Sequence, residues 1–427
     1  MIPTIKADDF KIEDFRFPAP DSRISRQVEK IIQSVYREGD SALAAWTCRF
    51  DCPGFEISDI PFSKNKVNTN GISKKLLQSL QGASQNIRTF SKHQLPKSWQ
   101  IKGNDGAIVG ERILPIERVG IYIPGGKAPY ASTVLMTAIP AAVAGVKEIV
   151  LVTPPANDKS IHPAILAAAE IAGVFEIYRA GGAQAIAALA YGTNTIKPVD
   201  KIVGPGNIYV QLAKKFVFGQ VGIDSLAGPS EVVILADEFA KPEFVAWEIL
   251  AQAEHDELAK SILVTDSSNL IEKIQTTLAE EIPKLERRGI LKASLKTSGR
   301  IILVNSLEEG IKIVNKLAPE HVSVQTQNAE EVAGNIYNGG AVFVGSFSPV
   351  ALGDYWAGPS HVLPTSRTAR FASPLGVCEF LKRSSWIQYS ESKIRREAEK
   401  IEILAEAEGL TAHAGSIKIR SRRSFHQ

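Results

Sequence analysis

The chain has 427 residues, of which 44% are hydrophobic and 22% are charged. A single hydrophobic core stops growing at roughly 250–300 residues, so this length predicts at least two domains. The formal net charge of +3 is too small to indicate a nucleic-acid-binding protein. A basic cluster near the C-terminus is interpreted as a solvated tail; its members are Lys418, Arg420, Arg422 and Arg423.

The cysteine content and the N-terminal residues indicate the compartment. The chain has three cysteines, Cys48, Cys52 and Cys378, and this sparse, odd number argues against a disulfide framework and favours a reducing environment. We expect Cys48 and Cys52 to be small packing residues. The longest uncharged apolar run, 131–146, contains Pro140 and is short for a membrane span, and no signal-peptide pattern opens the chain. A cytoplasmic protein without a membrane partner is therefore predicted.

Helical spacing of apolar residues predicts helices over residues 25–38 and 72–95. From residue 117 onward, short β-rich runs alternate with helical segments. Strands are predicted over 119–123, 148–152, 175–179, 201–203, 231–236, 261–265, 300–304, 322–325 and 341–344. Helices are predicted over 132–145, 161–172, 182–190, from 207 onward, 242–254 and 269–287. After Pro374 two more helices are predicted, over 377–382 and 391–408, and a polar, basic arm follows.

This alternation predicts an α/β protein, because helices of this length between strands cover both faces of a parallel sheet. One run of strand–helix units begins at residue 117 and a second begins at residue 231. Two runs of similar content suggest an internal duplication, although no repeat is visible residue by residue.

Three glycine-rich turns follow predicted strands, at 124–126, 181–182 and 204–206. Each leads toward the N-terminus of a helix, where free N–H groups favour an anion such as a phosphate. Neither a G-x-G-x-x-G fingerprint nor a P-loop is present, and a single turn of this kind more often only joins a strand to a helix. Three together favour a nucleotide site, with polar groups close by in Tyr122, Gln184 and Asn207.

Several clusters combine histidines with acids or amides. Gln252 and His255 are three residues apart near a helix end and so share one face, which supplies half of a metal site. Glu320 and His321 are adjacent where a helix gives way to a strand, as an acid–base pair would be. Surface residues or an exposed loop pair are equally compatible with these patterns.

Two further clusters are Asp354 with His361, in a glycine-bounded loop, and Glu408 with His413, just before the tail. A zinc site with nitrogen and oxygen ligands can be assembled from four of these residues: Gln252, His255, Asp354 and His413. The residue pattern by itself does not select this set over the others.

Seven motifs, read in chain order, resemble those of the histidinol dehydrogenase family. They are GGAQAIAALAYGT (181–193), VGPGN (203–207), DSLAGPSEV (224–232), AQAEHD (251–256), APEH (318–321), GDYWAGPSHVLPT (353–365) and EGLTAH (408–413). The likeness runs from about residue 31 to about residue 419. Long motifs in a fixed order are far more specific than a single short pattern.

The resemblance implies a role for each matching position. Gln252, His255, Asp354 and His413 match zinc ligands, and Glu320 and His321 match the catalytic acid–base pair. Ser230, His361 and Glu408 match positions that contact the substrate, together with the four ligands and His321. Tyr122, Gln184 and Asn207 match positions that contact NAD.

The resemblance also implies the architecture. It implies two incomplete Rossmann-like domains from a duplication, a helical N-terminal region and a C-terminal arm. The expected divisions are a segment 1–20, a zinc domain 21–120 with 232–373, an NAD domain 121–231 and an arm 374–427. In such a homodimer the arm crosses over, so that Glu408 and His413 serve the neighbouring subunit's site.

The implied reaction is the four-electron oxidation of L-histidinol to L-histidine through the aldehyde, with two NAD and one zinc per subunit. Two alternatives stay open: a dehydrogenase of the same fold acting on another small amino alcohol or diol, and a non-catalytic metal-dependent binding protein. Ser360 stands where asparagine is expected before the histidine, and Ser366 and Arg367 stand where two glycines are expected. None of the three is at an implied ligand or catalytic position.

Overall fold

The computed structural model describes residues 2–15, 21–63, 71–125 and 129–422. Gly126 of the first glycine turn and Arg423 of the basic cluster lie outside these described residues. The chain divides into two compact units. The larger unit comprises residues 1–94 and 117–380, and the smaller unit comprises residues 95–116 and 381–427.

The described residues form fifteen strands and fifteen α-helices. The strands are β1 (Thr4–Lys6), β2 (Pro61–Phe62), β3 (Trp99–Lys102), β4 (Ile108–Pro115), β5 (Arg118–Tyr122), β6 (Glu148–Thr153), β7 (Glu176–Arg179), β8 (Lys201–Val203), β9 (Gly222–Ile223), β10 (Glu231–Ala236), β11 (Lys260–Thr265), β12 (Arg300–Leu303), β13 (His321–Gln325), β14 (Ala341–Val344) and β15 (Leu381–Gln388). The helices are α1 (Ser22–Glu38), α2 (Asp40–Phe50), α3 (Lys74–His93), α4 (Ala131–Ala144), α5 (Pro163–Ala172), α6 (Gly182–Tyr191), α7 (Ile208–Val217), α8 (Pro242–Ala253), α9 (Ser268–Glu281), α10 (Arg288–Thr297), α11 (Leu307–Leu317), α12 (Ala329–Ala333), α13 (Val350–Tyr355), α14 (Glu391–Ala407) and α15 (Thr411–Arg422).

The larger unit contains two six-stranded sheets that share one arrangement of five parallel strands. Sheet I has the order β2-β7-β6-β5-β8-β9, and sheet II has the order β1-β12-β11-β10-β13-β14. In each sheet the five parallel strands begin in the middle, fill the side next to the first edge strand and then continue on the other side. The first edge strands differ, because β1 pairs in parallel with β12 and β2 pairs antiparallel with β7. The α/β class with two similar parallel-sheet domains, predicted from the alternation, is therefore confirmed.

The central strands are buried on both faces, which explains their continuous apolar runs. Every residue of β5, β10, β11 and β13 is buried, and helices cover the sheets on both sides. The strand β10 reads EVVILA, and its one charged residue, Glu231, is also buried. A charge at such a position needs partners within the protein.

The N-terminal helices pack on sheet I, which corrects the predicted domain grouping. The predicted apolar stripe of α1 (Val28, Ile31, Ile32 and Val35) is buried in the same core as β6 and α6. The strand β2 pairs antiparallel with β7 of sheet I. Residues 22–62 thus belong with sheet I, not with 232–373. Cys52 lies in this core and Cys48 packs against it, as predicted.

The smaller unit contains an antiparallel sheet in the order β15-β4-β3 and the helix pair α14–α15. The helix predicted over 377–382 was wrong: a short 3-10 turn over Val377–Phe380 leads directly into β15, which pairs along its length with β4. The basic arm is helical as far as Arg422. Among the described residues no helix has the length and apolar character needed to cross a bilayer.

Candidate active site

The predicted acid–base pair lies at the amino-terminal edge of sheet II. Strands β10 and β13 are neighbours, with Val232 in register with His321. This register places Ser230 and Glu231 beside Glu320 and His321, although about ninety residues separate the two segments. The usual ligand crevice of an open α/β sheet is at the opposite, carboxyl edge.

His321 is held with one ring nitrogen free to act as a base. Its Nδ1 atom lies 3.2 Å from the carbonyl oxygen of Glu231, and a carbonyl can only accept, so this contact assigns the proton to Nδ1. Its Nε2 atom lies 3.9 Å from an oxygen of Asp354. Burial lowers the pKa of His321 to about 4, and the charges of His255 and His361 act in the same direction. The ring is therefore neutral near pH 7, with a lone pair on Nε2.

Glu320 is buried and hydrogen-bonded at the same edge. Its Oε2 atom accepts a hydrogen bond of 3.0 Å from the backbone N–H of Glu231, and the Ser230 hydroxyl also bonds to it. Burial raises the pKa of Glu320 well above its usual range, and the nearby carboxylates of Glu231 and Asp354 raise it further. Glu320 therefore holds its proton to a higher pH than an exposed glutamate does.

This pKa shift predicts that Glu320→Gln stabilises the fold at alkaline pH. The carboxyl ionises near pH 4.3 in the unfolded chain, whereas in the folded chain it keeps its proton up to a higher pH. The free energy of unfolding of the wild type therefore falls as the pH rises from the unfolded pKa to the folded pKa. We expect the variant to gain about 1–3 kcal/mol at pH 8, the usual scale for a buried polar group held unfavourably, and to gain little at pH 4. Urea unfolding at the two pH values measures this difference. A variant that is less stable than the wild type at pH 8 contradicts the argument.

His361 connects the two halves of the larger unit. Its Nδ1 atom lies 2.9 Å from the backbone carbonyl oxygen of Asp354, and its Nε2 atom lies 3.0 Å from the hydroxyl of Thr133 on α4. The first contact fixes the proton on Nδ1, so Nε2 accepts from Thr133. Thr133 was missed in the sequence analysis, because nothing within the Ala-rich helix distinguishes it from a packing residue. Burial raises the pKa of Asp354 to about 6.

Three of the four predicted zinc ligands belong to the larger unit. Gln252 is 3% exposed, and its buried amide nitrogen has no partner among the described residues. His255 follows α8 and is close enough to lower the pKa of both His321 and His361. No group of three or more His, Cys, Asp or Glu side chains in the described part of the chain is placed to hold a metal. Gln252, His255 and Asp354 nevertheless carry the oxygen and nitrogen atoms that zinc accepts as ligands. The unpaired atom of Gln252 is the amide nitrogen, a hydrogen-bond donor, so it suits an acceptor atom and not the metal.

Another acid, Glu248, was also missed in the sequence analysis. It lies one turn before Gln252 on α8 and accepts hydrogen bonds from the Val350 N–H at the start of α13, at 3.2 and 3.3 Å. The helix α13 carries Asp354. Glu248 therefore ties the helix of one ligand candidate to the helix of another. Its own burial raises its pKa to about 7.

The remaining predicted residues, Glu408 and His413, belong to the smaller unit. Glu408 is the C-cap residue directly after α14, and His413 lies in the first turn of α15. Both side chains are exposed, and nearby on α14 so are the apolar side chains of Ile403 (58%) and Leu404 (68%). An apolar patch beside exposed polar candidates is typical of a surface that another chain covers.

Tyr122 and Gln184, predicted to contact NAD, are buried at 3% and 1% exposure. The Tyr122 hydroxyl accepts a 3.0 Å hydrogen bond from the Gly182 N–H, and the Gln184 amide donates to Asp51 at 3.1 Å. Asp51 also accepts from the Gly181 N–H, and its burial raises its pKa to about 6. These side chains therefore fix the 181–182 turn. Asp51 was missed because it is distant in sequence from that turn.

The 204–206 turn is also rigidly held. Gly204 has φ +115°, and a Cβ there would lie 2.2 Å from the Tyr122 carbonyl oxygen, so only glycine fits. Beneath it a buried ion pair joins Lys214 to Asp224, and both also bond to Gly204, at 2.8 Å each. Asn207 is exposed, and its side chain caps α7. Of the three predicted NAD contacts, Asn207 alone presents its side chain to solvent.

Comparisons with known proteins show which family the chain resembles. The family model described as "Histidinol dehydrogenase" matches residues 16–421. The chain is 48% identical over 398 residues to the histidinol dehydrogenases of Oceanobacillus iheyensis and of Bacillus subtilis, covering 93% of each chain. It superposes on the crystal structure of histidinol dehydrogenase from Elizabethkingia anophelis with a TM-score of 0.92 and 36% identity, over 98% of both chains.

The chain belongs to the histidinol dehydrogenase family. Members of this family are NAD-dependent oxidoreductases that act on an alcohol and an aldehyde. A weaker likeness, to an acetylating aldehyde dehydrogenase from Geobacillus thermoglucosidasius, has a TM-score of 0.51 at 15% identity and shows a shared fold alone.

Two departures from the expected histidinol dehydrogenase motifs are accommodated in the structure. Ser366 and Arg367 have φ values of +55° and +67°, the left-handed conformation for which two glycines were expected. Such a conformation costs a non-glycine residue about 1 kcal/mol. Ser360 is buried, and its hydroxyl accepts a 3.2 Å hydrogen bond from the Val362 N–H. The Ser366 N–H donates to the carboxylate of Glu231, so the strained turn touches the candidate site.

Proposed function

We propose that this chain oxidises L-histidinol to L-histidine in two steps through the aldehyde, using two NAD and one zinc ion per subunit. Membership of the histidinol dehydrogenase family supports the substrate. The observation that carries the chemistry is the neutral His321, with its free Nε2 facing Asp354, next to the buried Glu320. A base and a second proton-accepting group side by side suit two successive oxidations.

Zinc would be held by Gln252, His255, Asp354 and His413. When bound, zinc would supply a fixed anchor for the imidazole and amine nitrogens of histidinol. The support within the chain is the mixture of imidazole, amide and carboxylate groups that Gln252, His255 and Asp354 provide. Ser230 and His361, and Glu408 from the arm, are proposed to contact the substrate.

In the first oxidation His321 accepts the hydroxyl proton at Nε2, and NAD, when bound, would be the hydride acceptor for both oxidations. In the second, ionised Glu320 takes a proton from the water that adds to the aldehyde, and His321 returns its proton to the carbonyl oxygen, so that the hydrate forms. His321, again neutral, then accepts a proton from the hydrate as the second hydride is lost, and the protons on His321 and Glu320 pass to solvent. The Glu231 backbone keeps both groups in place throughout. An aldehyde that stays bound between the steps is shielded from side reactions.

NAD is proposed to bind at the carboxyl edge of sheet I, where Tyr122, Gln184 and Asn207 lie. Asn207 is the exposed group there. Its Oδ1 atom accepts from the Tyr209 and Val210 N–H groups, so Asn207 would contact NAD through its amide NH2 group. Tyr122 and Gln184 would act by holding the 181–182 turn, since their polar atoms are engaged within the protein.

The proposal includes a homodimer in which Glu408 and His413 complete the partner's site. Both are exposed, next to the apolar Ile403 and Leu404, and lie in the smaller unit. A twofold dimer would make two equivalent shared sites. The cytoplasmic location predicted from the sequence stays a prediction.

The stoichiometry of NADH tests the proposed function. Purified protein is incubated with limiting histidinol and excess NAD, with and without a chelator. Two NADH per histidinol, and none after zinc removal, are expected. One NADH per histidinol contradicts the second oxidation, and turnover of other amino alcohols or diols in place of histidinol supports the alternative substrate.

The zinc ligands give a second prediction. His255→Ala and Asp354→Ala should each bind substoichiometric zinc and lose activity while staying folded, because these residues lie outside the hydrophobic cores. His93→Ala, which removes an exposed histidine at the end of α3, serves as the matched control and should keep its zinc. Metal analysis by mass spectrometry and circular dichroism provide the two measurements. Full zinc occupancy in both variants contradicts the ligand assignment.

A further inference from the structure

We infer that Glu231 is a positioning residue that holds Glu320 and His321 in their working orientations. This inference rests on the proposed function, because it takes that pair as the reacting groups. Ser230, the residue before Glu231, matches a substrate position. Glu231 itself was given no role from the sequence.

The main chain of Glu231 contacts both reacting side chains. Its N–H donates to Glu320 Oε2 at 3.0 Å, and its carbonyl oxygen accepts from His321 Nδ1 at 3.2 Å. A small rotation of this one residue would therefore disturb both groups together. The two bonds also set the chemistry, since the first favours the ionised form of Glu320 and the second keeps the proton of His321 away from Nε2.

Strand pairing alone does not hold this residue on both sides. Glu231 is the first residue of β10, and it is in register with Lys260 of β11. On the β13 side the register starts one residue later, at Val232 with His321. On the side that faces the reacting groups, the position of this strand end therefore depends on contacts with side chains.

The carboxylate of Glu231 supplies a further contact. It is buried at 5% exposure and accepts a hydrogen bond from the Ser366 N–H in the left-handed Ser366–Arg367 turn. Burial raises the pKa of this carboxyl, and the positive charges of Lys260 and Arg367 oppose the rise. The side chain thus anchors the start of β10 to the turn that follows residue 365. The main chain of Glu231, held in this way, orients Glu320 and His321.

Asp237 provides a matched control at the other end of the same strand. It directly follows β10, is buried at 7% exposure, and accepts backbone hydrogen bonds from Phe239 at 3.0 Å and Gln327 at 2.8 Å. It thus performs a similar anchoring task for the opposite edge of the sheet. A general loss of strand order should follow from substitution at either residue, whereas a loss of positioning should follow only from Glu231.

The experiment compares Glu231→Gln, Glu231→Asp and Glu231→Ala with Asp237→Asn and Asp237→Ala, all loaded with zinc. Single-turnover rates of histidinol oxidation and of aldehyde oxidation are measured per zinc-loaded site. We expect Glu231→Ala and Glu231→Asp to lower both rates by about 10- to 100-fold with little change in the half-saturating substrate concentration, since supporting contacts act on this scale. Glu231→Gln keeps the reach to Ser366 and should stay within about threefold of the wild type. The Asp237 variants should lose thermal stability but keep their rates per site.

Nitrogen-15 NMR of the histidine rings measures the tautomer of His321, which should not change if Glu231 has a purely structural role. His321 in the wild type should show the tautomer with the proton on Nδ1, and Glu231→Ala should show a mixture. Wild-type rates per site in both Glu231→Asp and Glu231→Ala overturn the inference, and so does a Glu231→Gln variant slower than Glu231→Asp. If Glu231→Ala does not fold, the comparison of Gln with Asp decides. Near-normal turnover in both Glu320→Gln and His321→Asn would instead refute the proposed function, whatever the Glu231 variants do.

Discussion

Replacing His321 with asparagine is expected to abolish both oxidations, or at the least the first, by about 100- to 10,000-fold, the usual contribution of a general base. Asparagine keeps a donor for the Glu231 carbonyl but has no basic nitrogen to take the place of Nε2. The variant should therefore fold, bind zinc and bind histidinol, and fail at the proton transfer. Single-turnover NADH formation from histidinol measures the first step, and the aldehyde as substrate measures the second.

Glu320→Gln should separate the two steps. The amide keeps the shape and the hydrogen bond from the Glu231 N–H but cannot take a proton from water, so the aldehyde oxidation should fall on the same scale while alcohol oxidation largely persists. As the pH falls, the wild-type enzyme should lose the aldehyde oxidation at a higher pH than it would with an ordinary glutamate. The reason is that the Glu320 carboxyl must be ionised to act and burial raises its pKa. Near-wild-type turnover of both substrates in both variants contradicts the assignment of the pair.

Much of the fold could be predicted because its strands are short and buried. The predicted span 231–236 coincides with β10, and the predicted 201–203 with β8, since both are apolar runs bounded by loops. The strands β3 and β4 and the true state of residues 381–388 were not found. β3 and β4 form a local hairpin, and only β15 has a partner far away in the chain. The side chains of all three strands are partly or fully exposed, so no buried apolar run marks them.

The residue types of the site could be predicted from the sequence, but the contacts that orient them could not. Adjacent Glu320 and His321 could be recognised as a pair, yet their orientation comes from the backbone of Glu231, and a backbone contact leaves no sequence signal. Thr133 is similar, because its contact with His361 depends on how α4 lies against the loop before residue 361. Register between the distant strands β10 and β13 creates the Glu231 contacts, and the packing of a helix on a loop creates the Thr133 contact.

The last prediction concerns subunit complementation, with an expected change from no activity to substantial activity. Inactive His413→Ala chains are mixed with inactive His321→Asn chains under conditions that allow exchange. If the arm serves the partner, a mixed dimer has one site with both lesions and one site with none, so it regains about half of the wild-type activity. With equal amounts and random exchange about half of the dimers are mixed, so about a quarter of all sites should be active.

A second mixture controls for exchange itself. His255→Ala and His321→Asn both lie in the larger unit, so every site in their mixed dimer keeps one lesion whichever chain supplies the arm. That mixture should stay inactive, whereas His413→Ala mixed with His255→Ala should recover like the first pair. If His413 serves its own chain, none of the three mixtures recovers, because each site then carries one lesion. Absence of recovery with His413→Ala, despite subunit exchange demonstrated by mass spectrometry of tagged chains, would refute the shared site while leaving the zinc ligands unaffected.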